Sequence, residues 1–336
     1  MRAIPQTSLL VLALSGSLFL AACGGDGEPT ADASASAVPS ASASASATPS
    51  ATPSKVPTSK DFAKVDVSGA YGKTPKVTID KPYAIDKTRT KVLDSSDGAV
   101  VEAGQTVEVN YYGVDGRTGK KFDESFSAGK PVAFSLDQVV PGFSKGLTGQ
   151  KKGSRVLIAM PGSDGYDASG GNAQAGIEVG DTLVFVVDIV DVQLSEPTGT
   201  AVKPAAGLPT VSGPIDKPVI TIPKTDPPKK LVVQPLIKGD GKEVGAGDTI
   251  TFAYRWQIWQ DGRLVEESYG QKPGSSALSG LVAGLQEGLE GQTVGSRVLL
   301  VIPPDKGYPD GNAQPKVEKG ETLVMVVDLL FTQAGQ

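Results

Sequence analysis

Histidine is absent from all 336 residues, and cysteine occurs once, at Cys23. Without histidine there is no Ser-His-Asp or Cys-His relay and no imidazole-ligated metal. With its one thiol so close to the N-terminus, the rest of the chain has no disulfide, no thiolate metal site and no sulfur nucleophile. The excess of one charge sign over the other is small as well. The 32 basic and 37 acidic residues leave a net charge of −5, which is no footprint for a nucleic-acid partner. Long apolar runs are missing apart from Leu9 to Leu20, which is too short to cross a bilayer comfortably. Glycine (41) and proline (25) are plentiful and point to many tight turns, as in β-rich folds, plus an unstructured stretch.

The N-terminus reads as an address. Arg2 supplies a positive start, Leu9 to Leu20 an apolar segment, and Leu20-Ala21-Ala22 precedes Cys23. Leu-Ala-Ala-Cys resembles the lipobox of bacterial lipoproteins. That resemblance implies a signal peptide over 1–22, removal of which leaves a diacylated Cys23 as the first residue. The expected location is therefore the extracytoplasmic face of the cell membrane, held by a lipid anchor, since two acyl chains hold far better than one. An ordinary secretory signal that happens to contain a cysteine is the other reading. Residues 23–60, rich in Ala, Ser, Thr and Pro, have no apolar face to bury and are expected to form a disordered tether. As a flexible coil it would reach on the order of 30 Å.

From about Lys60 the sequence repeats. EAGQTVEVNYY (Glu102–Tyr112) returns as GAGDTITFAYR (Gly245–Arg255), and FDESF (Phe122–Phe126) as VEESY (Val265–Tyr269). VVPGFSKGLTGQKKGSRVLIAMP (Val139–Pro161) returns as LVAGLQEGLEGQTVGSRVLLVIP (Leu281–Pro303). DTLVFVVDIV (Asp181–Val190) returns as ETLVMVVDLL (Glu321–Leu330). An upstream arm repeats too: VSGAYGKTPKVTI at Val67 and VSGPIDKPVITI at Val211. The expected organisation is one domain over 61–195, a Pro/Gly/Ala-rich hinge over 196–210 and a second domain over 211–334.

Within a copy, Thr106–Tyr112, Arg155–Met160 and Thr182–Val190 read as strands, from period-two alternation or buried apolar runs rich in Val, Thr and aromatics. Gly142–Leu147 is the one plausible helix of copy one. Such a sheet must cover a face with that helix, so the expected class is α+β with an antiparallel sheet.

Copy one resembles the FKBP-type peptidyl-prolyl isomerases. The residues that carry the resemblance are VNYYG at Val109, GKKFD at Gly119, KPVAFSL at Lys130, VVPGF at Val139, GSRVLIAMP at Gly153, GY at Gly165 and DTLVFVVDIV at Asp181. The resemblance implies two FKBP-like domains, each a twisted antiparallel half-barrel wrapped around a short helix, with substrate bound between them. It implies aromatic walls from Tyr111, Phe122 and Phe185, a border from Val139 and Val140, a floor at Phe143 and an aliphatic lip at Ile177. It also implies that Asp123 lies beside the reacting amide, that the Tyr166 hydroxyl bonds the substrate and that the Val140 N–H holds a substrate carbonyl. Phe143 stands where many members have tryptophan, and Val132 where an aromatic is common. Periodicity alone favours an ordinary core for Phe122, Phe185 and Val139 and a turn or solvated strand end for Asp123, and it fits Tyr166 to an exposed loop. Tyr111 and Tyr112 are adjacent in a strand, so only one of them can face a pocket.

The implied reaction suits this composition. Rotating an X-Pro bond means breaking amide resonance, a barrier of about 18–20 kcal/mol. No covalent bond changes, so no nucleophile, metal or cofactor is required. The twisted amide has less charge separation than the planar one, and a dry apolar wall favours it differentially. A ~10⁴-fold acceleration asks for about 5–6 kcal/mol. The expected partners are proline-containing unfolded or secreted polypeptides. A scaffold that binds such chains as a chaperone, without turning them over, is the alternative.

Copy two departs from this pattern. Phe122, Asp123, Phe143 and Phe185 become Val265, Glu266, Leu285 and Met325, while Gly113 becomes Trp256. Three rings are lost, so copy two is expected to be weak or inactive. Trp256 and Trp259, the only tryptophans, either refill space or offer a surface to clients.

Overall fold

The computed structural model describes residues 56–335; the apolar leader, Cys23 and nearly all of the expected tether lie outside that range. In copy one a hairpin, β1 (Val65–Ser68) and β2 (Lys76–Ile79), precedes β3 (Arg89–Asp94), β4 (Thr106–Asp115), β5 (Lys121–Glu124) and β6 (Val132–Ser135). Helix α1 (Pro141–Leu147), β7 (Arg155–Met160) and β8 (Leu183–Val192) complete it. The sheet is antiparallel with strand order β3-β7-β8-β4-β5, and β6 pairs with β4 beyond β5. It is the α+β half-barrel expected from the sequence.

Side-chain alternation sends successive residues of each central strand to opposite faces. Val156, Ile158 and Met160 of β7 join Phe185, Val187 and Ile189 of β8 under α1. Leu157, Ala159, Val184 and Val186 point the other way. Helix α1 has only seven residues, too few to be stable on propensity, so packing holds it. Pro141 suits its first position, where no intrahelical donor is needed. Gly142 and Gly146 let it lie close to β7. A Cβ at Gly142 would come within 2.3 Å of Met160 Sδ, and one at Gly146 within 2.7 Å of Ile158 Cγ2.

The second face is not left to solvent. The β1–β2 hairpin closes over it, packing Val65, Val67, Val77 and Ile79 against Leu157, Val184 and Val186. A buried ion pair fastens the hairpin. Arg155 Nε and Nη2 meet Asp188 Oδ1 and Oδ2 at 2.5 and 2.7 Å, with both side chains essentially unexposed. The guanidinium also donates to the carbonyls of Gly69 and Lys73 in the hairpin turn, both at 2.7 Å, and Gly72 N–H donates to Asp188 Oδ2 at 2.7 Å. Every charge in this low-dielectric spot is thereby paired and hydrogen-bonded, the condition under which a buried pair is tolerated.

After copy one come β9 (Thr200–Ala201), the hairpin β10 (Thr210–Ser212) and β11 (Val219–Thr221), β12 (Val232–Lys238), β13 (Thr249–Ile258), β14 (Leu264–Glu267) and β15 (Gly274–Ala277). Then follow α2 (Ala283–Leu289), β16 (Arg297–Ile302) and β17 (Leu323–Gln333). The sheet order is β14-β13-β17-β16-β12-β9, with β15 on β13. Arg297 and Asp328 repeat the buried pair at 2.6 and 2.7 Å, and Arg297 also bonds the Ile215 carbonyl of the second hairpin.

Two segments read as loose chain are held. The stretch expected to be a hinge contributes β9, an extra strand on the edge of β12, and Val202 N–H and Thr198 N–H bond Leu236 O and Gly295 O at 2.9 Å. Free backbone groups on the β12 edge supply the reason. At the end of the expected tether, Ser59 N–H donates to Ala84 O at 2.7 Å.

Candidate functional site

The site of copy one is assembled where β4, β5 and β8 splay from the N-terminus of α1. Gly113 of β4 lies opposite both Asp123 of β5 and Phe185 of β8. A methyl group there would sit 2.7 Å from Phe122 Cζ and 2.9 Å from Phe185 Cε1. Glycine is what allows these two rings to meet, 5.4 Å apart and nearly perpendicular (88°). Phe185 is the hub. Tyr111 lies 6.3 Å from it edge-on, and Phe143 of α1 lies 4.5 Å from it, tilted by 58°.

Val139, Val140 and Tyr166 pack half-buried against this ring group, and Ile177 is buried beside it. Ile177 ends a small closed loop: its N–H and carbonyl bond Asn172 O and N–H at 2.9 and 2.8 Å. Tyr112, next to Tyr111, faces the opposite side of the sheet with Val114 and Val186. The structure therefore brings Tyr111, Phe122, Asp123, Val139, Val140, Phe143, Tyr166, Ile177 and Phe185 into one neighbourhood. A cleft of about 470 Å³ between the copies, lined by Gln105, Asp137, Tyr269 and Lys272 among others, carries none of them.

The polar groups differ in how they are engaged. The Tyr111 hydroxyl donates to Asp123 Oδ2 at 2.6 Å, and Glu124 N–H donates to Oδ1 at 2.9 Å. Tyr111 is itself held by Ser125, whose Oγ accepts the Tyr111 N–H at 2.9 Å. Burial, then the bond to Asp123, push the Tyr111 hydroxyl well above the usual phenol range. Tyr166 is also raised, by burial and by the nearby Asp123 charge, so it is a donor at any physiological pH. Among the described residues neither the Tyr166 hydroxyl nor the Val140 N–H has a hydrogen-bond partner. Two donors thus stand open beside the ring group. Such donors can position the carbonyls of an extended chain against an apolar surface.

Phe134 is a residue the sequence reading passed over, although the KPVAFSL motif contains it. It shares a face of β6 with Val132 by period two and lies 5.7 Å from Phe143. Its ring supports the Phe143 floor.

Comparison with known proteins bears on this geometry. The sequence profile of the family described as FKBP-type peptidyl-prolyl cis-trans isomerase matches residues 98–190 and again 241–330. The chain belongs to the FKBP-type peptidyl-prolyl cis-trans isomerases. It is an enzyme family that acts on proline-containing polypeptides. Both matches begin after the hairpin arms. A probable FK506-binding protein of Corynebacterium glutamicum is 36% identical over 118 residues, covering 34% of this chain and 98% of that protein. The FKBP-type peptidyl-prolyl cis-trans isomerase FkpA of Escherichia coli is 37% identical over 105 residues, 31% of this chain and 37% of FkpA. The outer membrane protein MIP of Legionella longbeachae is 32% identical over 107 residues, 31% of this chain and 43% of MIP.

In copy two the counterparts Val265, Leu281, Val282, Leu285, Tyr308, Val317 and Met325 gather at the equivalent place beside α2. Burial, then Glu266 alongside, push the Tyr254 hydroxyl up to about 12. The T-shaped ring group of copy one does not recur among the described residues.

Proposed function

We propose that copy one, over 61–195, is the catalytic isomerase of the chain and that copy two, over 211–334, is weak or inactive. A prolyl ring enters the space walled by Tyr111, Phe122 and Phe185, above Phe143 and behind Val139 and Ile177. Tyr166 and the Val140 N–H hold the carbonyls flanking the bond, and Asp123 lies beside the rotating amide. Removing the planar amide from water costs it more than the twisted one, which lowers the barrier without any reacting group. The observation that carries this reading is the pairing of an apolar ring group with two unengaged donors at its rim. The test is exchange of an X-Pro peptide, followed by NMR or by coupled proteolysis, on the full chain and on Asp123→Ala. Rates for the wild type no greater than in buffer would instead favour a scaffold that only binds.

We also propose that the protein works outside the cytoplasm, anchored by lipid on Cys23. Support comes from the leader sequence and from its relative, the outer membrane protein MIP. Cys23→Ser is expected to abolish incorporation of labelled fatty acid and to move the protein from the membrane to the soluble fraction. Unchanged labelling would refute the anchor.

A further inference from the structure

Copy two changes the Gly113 position in a particular way. Trp256 holds the same register place as Gly113: opposite Glu266 where Gly113 faces Asp123, and opposite Met325 where Gly113 faces Phe185. In copy one a single methyl at this point would already run into both rings. In copy two the whole indole is accommodated because both rings have shrunk, Phe122 to Val265 and Phe185 to Met325. The floor residue has changed in step, Phe143 to Leu285.

Trp256 is 4% exposed. It belongs to the cluster formed by Leu285, Val317 and Met325, with Tyr254, Val265, Leu281, Val282 and Tyr308 around it. Those are the counterparts of the residues that form the niche of copy one. Its ring stacks on Tyr308, the counterpart of Tyr166, with centroids 6.3 Å apart and planes at 25°. Trp259, by contrast, faces the other side of the sheet, where its indole N–H donates to Thr225 O at 2.9 Å among Ile220, Leu299 and Val301.

We propose that the Trp256 indole occupies the seat in copy two that a prolyl ring takes in copy one, so copy two carries a prolyl site closed by its own side chain. This rests on reading the niche of copy one as the prolyl site. A large aromatic already desolvated and stacked satisfies the apolar walls that would otherwise attract proline, and no substrate ring can displace it without exposing the indole to water. The hydrogen-bonding groups keep their places: the Tyr308 hydroxyl and the Val282 N–H are unpartnered among the described residues, and Tyr254 stays beside Glu266. The closure is therefore local and reversible by few substitutions.

The test is an NMR titration of the full chain with a short Leu-Pro peptide, following the amides of Val140 and Val282. The wild type is expected to shift Val140 and leave Val282 still. Trp256→Gly with Val265→Phe and Met325→Phe, which restores the copy-one triple, is expected to make Val282 shift too. The reverse graft, Gly113→Trp with Phe122→Val and Phe185→Met, is expected to silence Val140. A Val282 shift in the wild type, a still Val282 in the folded restored variant, or a persisting Val140 shift in the folded reverse graft would each overturn the proposal. Silence of Val140 in the wild type would instead remove the reading of copy one, with Val282 judged by the same criteria. If neither graft folds, the wild-type Val282 amide decides alone: silence supports closure and a shift refutes it.

Discussion

Two tyrosines pack against the same ring group, yet their hydroxyls are engaged differently, and replacing each by phenylalanine separates activity from stability. The Tyr166 hydroxyl has no partner within the described chain, so Tyr166→Phe breaks nothing in the free protein. Its cost falls on the bound state alone, as one lost hydrogen bond to a substrate carbonyl, about 0.5–1.5 kcal/mol. That predicts a two- to thirteen-fold drop in kcat/KM, as ~1.4 kcal/mol is tenfold. The Tyr111 hydroxyl is 2.6 Å from Asp123 Oδ2 and is already engaged. Hydrogen bonds to charged groups contribute about 1.5–3 kcal/mol, and partial exposure of this pair reduces that to ~1–2 kcal/mol. Tyr111→Phe is thus expected to lower the melting temperature by about 3–8 °C. It should also lower activity, because Asp123 loses its anchor. Calorimetric melting and NMR exchange on an X-Pro peptide measure both quantities. A Tyr166→Phe protein that melts early, or one that turns over at the wild-type rate, would refute the division of roles.

The buried pair under the hairpin arm gives a second test. Arg155→Met leaves Asp188 uncompensated in the interior and should cost about 3–5 kcal/mol, whereas Arg155→Met with Asp188→Leu should recover most of it. Equal losses in urea unfolding would show that the pair is not what holds the arm. A third concerns Asp115, whose Oδ1 accepts the Thr118 N–H and Oγ1 at 2.7 and 2.6 Å while Oδ2 is buried without a donor near Asp181. Burial raises its pKa; the Thr118 bonds oppose this and Asp181 adds to it. A folded pKa above the unfolded value of about 3.9 means stability is greatest in acid and declines as pH rises through the folded value. Asp115→Asn keeps the Thr118 bonds and removes that decline. It should be more stable than wild type by ~1 kcal/mol at pH 8 and indistinguishable near pH 4. Parallel stability curves across pH would contradict this. Since the raised Tyr166 keeps its proton, isomerase rates should be level from pH 6 to 9, and a fall within that range would argue against Tyr166 as the donor.

Much of the fold was legible because its signals are local or ordered along the chain. The Arg155–Met160 strand is bounded as expected, and the α1 helix begins one residue earlier than read because Pro141 itself fits the first position. The repeat announced a second copy, and motif order announced the half-barrel. What escaped was tertiary. Nothing local in VSGAYGKTPKVTI says that its turn carbonyls will take up Arg155, or that the hairpin will cover the second sheet face. Pro/Gly/Ala composition over 196–210 suggested a hinge, since the β12 edge that captures Thr200–Ala201 is invisible without the sheet. At the site, the spacing of Phe122, Asp123 and Tyr166 could be matched only by resemblance; period two could have added Phe134, on the same face as Val132. The exchange of Gly113 for Trp256 was plain in the sequence. Its meaning was not, because it depends on two rings from β5 and β8 meeting above a residue with no side chain.

The most direct test of the account is the rate of cis–trans exchange of a Leu-Pro peptide catalysed by the full chain and by Phe122→Ala. Phe122 is half-buried, so its truncation removes one wall of the niche with limited effect on folding. The prediction is catalysis well above buffer for the wild type and a loss of at least about tenfold in kcat/KM for the variant, the equivalent of ~1.4 kcal/mol of wall contact. Full activity in a folded Phe122→Ala protein would contradict the claim that these rings lower the barrier.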